Sequence, residues 1–285
     1  MKIRPGIFLA LAAAGTLSLR AATNQAATPP APTRPDVTYA QPAGLNLALD
    51  AYLPEGAGPF PVCILVHGGG FKSGNKRSSI YPLFAPLRDA GFACFSIDYR
   101  LAPANRWPAG MEDVEAAVRW VKAHAADFHA DARRIALVGD SSGGHYVSYV
   151  GALGREPVNA VVAIYAPHDL ELQVKLRGEL GSAMTALLGL TEINAAAWET
   201  LRQASPINHL RAGMPPYLLI QGDLDRTVVY EQAFRFQKRS RALGNTCDLT
   251  TITNGDHGLE GWDKARLEYK LELINWLKKT LCMPL

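Results

Sequence analysis

The chain has 285 residues, 48% hydrophobic and 19% charged, which is too apolar for a disordered polypeptide and enough for one large core or two small ones. Its formal charge of +3 includes Lys2, Arg4 and Arg20 near the N-terminus; the remainder is close to neutral, without the basic footprint of a nucleic-acid binder. Four cysteines are too few for a disulfide-built scaffold.

Residues 1–26 read as an export signal: Lys2 and Arg4 form a basic start, residues 6–19 carry no charge, and Ala21, Ala22 and Ala26 offer small residues for cleavage. The apolar run is shorter than the roughly 20 residues that cross a bilayer. The expectation is an exported protein, periplasmic or secreted, with no integral membrane segment once the signal is removed. Residues 27–36, rich in Pro, Ala and Thr, read as a flexible leader, and residues 37–285 as one domain.

From Val37 onward the strand and helix signals alternate. Residues 46–53 alternate in polarity and suggest antiparallel edge strands. Residues 62–66, 92–97, 135–138, 160–164, 217–220 and 247–253 are short β-rich runs, most of them without alternation, as expected of strands buried on both faces. Residues 111–125 place Val114, Ala117, Val118 and Val121 at helical spacing; residues 144–153, 228–243 and 259–281 also read as helix. Strand and helix in turn predict an α/β fold: a mostly parallel central sheet with helices on both faces. Residues 167–216 break the rhythm with helical pieces and no strand, and read as a cap-like insertion over the ligand crevice.

Cys63 and Cys94 fall inside apolar runs and read as buried thiols. Cys247 opens a strand and Cys282 ends the helix after it. A helix returning antiparallel to its strand brings those two ends to one edge, which makes the pair a disulfide candidate in an exported protein.

Gly139-Asp140-Ser141-Ser142-Gly143 follows the strand at 135–138 and precedes a helix. A serine at a sharp strand-to-helix turn presents its Oγ above the sheet, and flanking glycines let other backbone approach. Ser141, at the centre of GxSxG, is the candidate nucleophile. His67-Gly68-Gly69-Gly70-Phe71 follows another strand and frees backbone amides; the N–H groups of Gly69, Gly70 and Ser142 are candidates for an oxyanion hole. Neither GxGxxG nor GK[ST] occurs there, which disfavours nucleotide binding. Among seven histidines, His257 lies in a glycine-bracketed loop after a strand and is the candidate base; His67 reads as a structural residue of its loop. For the acid, Asp223 and Asp225 both follow the strand at 217–220. Asp225 is preferred because the strand has ended there and a loop can turn toward the serine, whereas Asp256 is too near in sequence to reach its neighbour's ring. The order Ser141, Asp225, His257 is the one expected of an α/β hydrolase.

These motifs, with Asp98-Tyr99-Arg100-Leu101-Ala102-Pro103, resemble the α/β-hydrolase group that includes hormone-sensitive-lipase-like and feruloyl/acetylxylan-esterase-like carboxylesterases, over nearly the whole chain from Tyr39 to Leu281. The resemblance implies an α/β-hydrolase fold, makes Asp225 the acid and Asp98-Tyr99-Arg100 a support beside the crevice. It also implies ester hydrolysis through an acyl-enzyme without metal or cofactor, on a small-molecule or polysaccharide-linked ester. The chain departs from the commonest pattern at Arg226, often Pro, and at Ser142, often Ala. Phe71 and Tyr165 are substrate-binding candidates, with core packing the competing fate of each. A serine peptidase and a non-catalytic binder on the same fold are the rival readings.

Overall fold

The non-alternating runs form the central strands, because helices cover them on both faces. In the computed structural model, which describes residues 28–265 and 268–283, the chain runs β1 (Arg34–Ala40), β2 (Leu47–Tyr52), β3 (Phe60–Val66), α1 (Phe84–Asp89), β4 (Ala93–Ile97), α2 (Ala109–His124), β5 (Ala130–Asp140), α3 (Ser142–Leu153) and β6 (Ala160–Ile164). It continues through α4 (Leu170–Arg177), α5 (Gly181–Leu188), α6 (Ala195–Gln203), β7 (Tyr217–Gly222), α7 (Glu231–Ala242), β8 (Cys247–Ile252), α8 (Leu259–Ala265) and α9 (Glu268–Thr280). The expected export signal lies outside the described residues. Among them, no helix is long and apolar enough to cross a membrane.

The eight strands lie in the order β1-β2-β4-β3-β5-β6-β7-β8. β1 pairs antiparallel with β2 and β2 antiparallel with β4; all other neighbours are parallel. This is the mostly parallel α/β sheet that the alternation predicts and the α/β-hydrolase fold that the resemblance implies. The pleat divides the core. Val62, Ile64 and Val66 of β3 face a layer with α2, α3 and α7, while Cys63 and Leu65 face a layer with α1, α8 and α9. Between β6 and β7, α4, α5 and α6 occupy the stretch read as an insertion.

Three expectations change. The leader is shorter than residues 27–36: β1 starts at Arg34, and Thr33 N–H already donates to the Ala51 carbonyl (2.8 Å). Pro35 hid this strand from a reading of composition, yet proline is tolerated on an edge strand. The short helix α1, with Pro86 inside it, was not expected. Cys247 and Cys282 are not joined: all four cysteines are free thiols. The pleat turns Cys247 into the layer that holds Phe236 of α7, whereas α9 packs its Leu273 and Leu277 on the opposite face and leaves Cys282 exposed.

Candidate active site

The site forms at the carboxyl ends of β3, β5, β7 and β8, where a parallel sheet opens its crevice. At the end of β5 the chain reverses into α3 through Ser141, whose φ of 50° and ψ of −119° lie outside the usual regions for an L residue. The turn is held from both sides. Ser141 N–H donates to the Ile164 carbonyl (2.9 Å), and the Ser141 carbonyl accepts from His145 N–H (3.0 Å). Gly143 lies against β3 so closely that a Cβ there would sit 2.0 Å from the Val66 carbonyl oxygen, so α3 can begin here only without a side chain.

His257, on the loop after β8, brings Nε2 to 3.1 Å from Ser141 Oγ and Nδ1 to 2.7 Å from Asp225 Oδ2. Opposite an ionised carboxylate, which only accepts, Nδ1 carries the ring proton and Nε2 is left to accept from the serine hydroxyl. Asp225 is buried, and its Oδ1 accepts from the backbone N–H groups of Thr227 and Val228, each at 2.8 Å. Its Oδ2 takes a further hydrogen bond from Gln221 Nε2 (3.0 Å). The structure thus brings Ser141, His257 and Asp225 into one hydrogen-bonded line. Asp223 is engaged elsewhere, accepting from Asn254 N–H (2.7 Å). Asp256 faces Arg226, whose guanidinium holds the Asp256 carboxyl down at about 2.

The glycine loop after β3 lies beside the serine. Gly69 and Gly70 take positive φ (131° and 60°), and their N–H groups have no internal acceptor among the described residues. Ser142 N–H is the first amide of α3 and is likewise uncommitted, as helix starts leave their amides. Gly70, Ser141 and Ser142 line one cavity together, and Gly69 lines an adjoining one with Gly70 and Ser141. Gly68 N–H is not available, since it donates to Asp140 Oδ1 (2.8 Å) and Ser79 Oγ (2.9 Å). His67 is fully buried with Nδ1 2.7 Å from the Gly68 carbonyl, and burial pushes its pKa down to about 4. It stacks on Tyr99 (ring centroids 4.3 Å apart), whose hydroxyl donates to the His67 carbonyl (2.9 Å). Asp98 accepts from Lys76 N–H (2.8 Å), and Arg100 Nε donates to Asp113 (2.9 Å), so the Asp98-Tyr99-Arg100 segment braces the loop.

Both aromatic candidates reach the crevice from the core. Phe71 lines a cavity beside Ser141 but is only 2% exposed and packs edge-on against His145 and Tyr146. Tyr165 is also 2% exposed; its ring lies 4.5 Å from that of His257, and its hydroxyl donates to Asp140 Oδ2 (3.1 Å). Its first duty is therefore to position its neighbours.

Two functional neighbours escaped the sequence reading. Asp140 sits inside the serine motif, and its carboxylate accepts from Gly68, Ser79 and Tyr165; burial nevertheless raises its pKa to about 6. Gln221 is the penultimate residue of the apolar strand β7, and its amide side chain there was the available signal.

The family model BD-FAE matches residues 49–239, more than half of the chain. Esterase LipC of Mycobacterium tuberculosis is 32% identical over 223 residues, covering 73% of this chain and 55% of its own length. The probable carboxylic ester hydrolase LipM of the same organism is 32% identical over 65% of this chain and 46% of its own. The chain thus spans about half the length of these curated relatives. Among solved structures, a truncated carbohydrate esterase from gut microbiota superposes with a TM-score of 0.74 at 24% identity, covering 82% of this chain and 91% of that one. Thermogutta terrifontis esterase 2 in its apo form gives 0.71 at 24% identity, over 88% and 95%. With the matched region running from within β2 to within α7 and including Ser141 and Asp225, the chain belongs to the BD-FAE family.

Proposed function

We propose that the protein is a serine carboxylic-ester hydrolase. The observation that carries this reading is the continuous line from Ser141 Oγ through His257 to the buried Asp225 carboxylate, at 3.1 and 2.7 Å. Ser141 Oγ attacks the ester carbonyl carbon as its proton passes to His257 Nε2. The oxygen that gains charge is met by the amides of Gly69, Gly70 and Ser142, and Asp225 holds the imidazolium. Collapse breaks the bond to the leaving alcohol, which takes the proton from His257. Water then attacks the acyl-serine by the same route and releases the acid.

Two spaces flank Ser141. His257 lines the larger, about 590 Å³, together with Tyr165 and Glu260. Because His257 must protonate the departing alcohol, that space is the leaving-group side. The smaller, about 110 Å³, lacks His257 and is the acyl side. A narrow acyl space and an open leaving-group space favour short acyl groups on bulky alcohols. The names of LipC and LipM as ester hydrolases, and of the gut-microbiota neighbour as a carbohydrate esterase, agree with acyl esters of polysaccharides or small molecules as substrates.

The test is hydrolysis of short p-nitrophenyl esters and peptide amides by wild type and Ser141→Ala, with labelling by a fluorophosphonate. Ester turnover should fall by at least about four orders of magnitude in the variant, with loss of the label. Wild-type turnover by Ser141→Ala refutes the reading, and preference for the amides makes the protein a peptidase.

A further inference from the structure

The acyl-side cavity is apolar along Phe71, Leu180, Ala183 and Met184, and Arg177 is the only charged residue among the described residues that line it. Arg177, at the C-terminal end of α4, is exposed, so its guanidinium stands at the mouth. One of its nitrogens, Nη2, donates to the Thr227 carbonyl (2.8 Å), and no carboxylate among the described residues pairs with it. A second cation lies next to this lining, outside it. Lys72, next to Phe71, reaches α5 through Ser182 Oγ (3.0 Å), also with no acidic partner among the described residues. The carboxylates near Ser141, Asp140 and Glu260, line the leaving-group cavity. Charge is therefore divided about the serine, positive on the acyl side and acidic on the other.

An arginine anchored through one nitrogen keeps its remaining N–H groups for a planar acceptor, and a carboxylate matches that fork. Resting on the reading of the site as a serine ester hydrolase, we propose that Arg177 is a specificity-determining residue that binds a carboxylate at the far end of the acyl group. The preferred substrates are then hemiesters of short dicarboxylic acids. The apolar walls take the methylene chain and the mouth takes the charge.

The test compares monoethyl glutarate with ethyl valerate, read as ethanol release, for wild type, Arg177→Gln and Arg177→Lys. The ratio of kcat/KM for the hemiester over that for the neutral ester should fall about tenfold in Arg177→Gln and be partly kept in Arg177→Lys. In wild type the ratio should also decline between about 0.05 and 0.5 M salt, because the guanidinium is open to solvent. The ratio separates recognition from anchoring of the Thr227 loop, since losing the anchor slows both esters alike. An unchanged ratio, or an equal fall on both esters, overturns the proposal and leaves the hydrolase standing. Hydrolysis of neither ester by wild type overturns both.

Discussion

Replacing Asp140 by asparagine keeps the shape of a buried group and removes its charge. Asp140 is 1% exposed, and burial raises its carboxyl from 3.8 to about 6 despite donors from Gly68, Ser79 and Tyr165. The folded chain thus holds this proton more tightly than the unfolded one. As pH rises from about 4, the unfolded state loses the proton first, and wild-type stability falls until the folded group has also ionised above about pH 6. The two-unit gap corresponds to about 3 kcal/mol at neutral pH, of which about 2 kcal/mol develops between pH 4 and pH 8. The Asp140→Asn variant has no such titration. Its new amide faces the Tyr165 hydroxyl, which loses its acceptor at a pH-independent cost of about 1 kcal/mol. Urea unfolding of both proteins across this range should therefore show the variant gaining on wild type as pH rises, by about 2 kcal/mol in all. A difference that stays flat, or grows toward acid, refutes the account of Asp140. The variant should also be slower on esters, because the Asp140 charge acts on the imidazolium of His257 as His257 acts on it.

Gly143→Ala should lose more than about 4 kcal/mol or fail to fold, since its Cβ would meet the backbone oxygens of Val66 and His67 at 2.0 and 2.5 Å; a melting temperature within a few degrees of wild type counts against this packing. Gln221→Leu removes the side-chain donor to Asp225 Oδ2 and should lower kcat about tenfold or more with an unchanged circular dichroism spectrum; unaltered kcat means that the backbone amides suffice. Thiol titration should find Cys282 reactive in the native protein and four thiols in denaturant, and fewer than four would restore a disulfide.

Most of the sheet was legible because a strand covered on both faces needs an apolar run with no polar interruption, and residues 62–66, 160–164 and 217–220 have one. β1 was not, because an edge strand is exposed along one side and its Arg34, Pro35 and Asp36 look like linker. Ser141 and His257 could be read from glycine-marked loops after strands. Asp225 was preferred to Asp223 because it lies past the end of the strand; in the structure its Oδ1 accepts from the Thr227 and Val228 amides, while Asp223 accepts from Asn254 N–H. Cys247 and Cys282 were matched by sheet edge along the chain direction, which leaves out the side of the sheet that a pleated residue faces. Asp140 went unread because its partners Ser79 and Tyr165 come from distant segments that carry no local mark.

The contact of Gly143 with the carbonyl of Val66 joins α3 to β3 main chain to main chain, with no side chain between them. The position of Ser141 Oγ is consequently set by the peptide framework. Variation in the apolar layers would register as a lower melting temperature well before it displaced that atom.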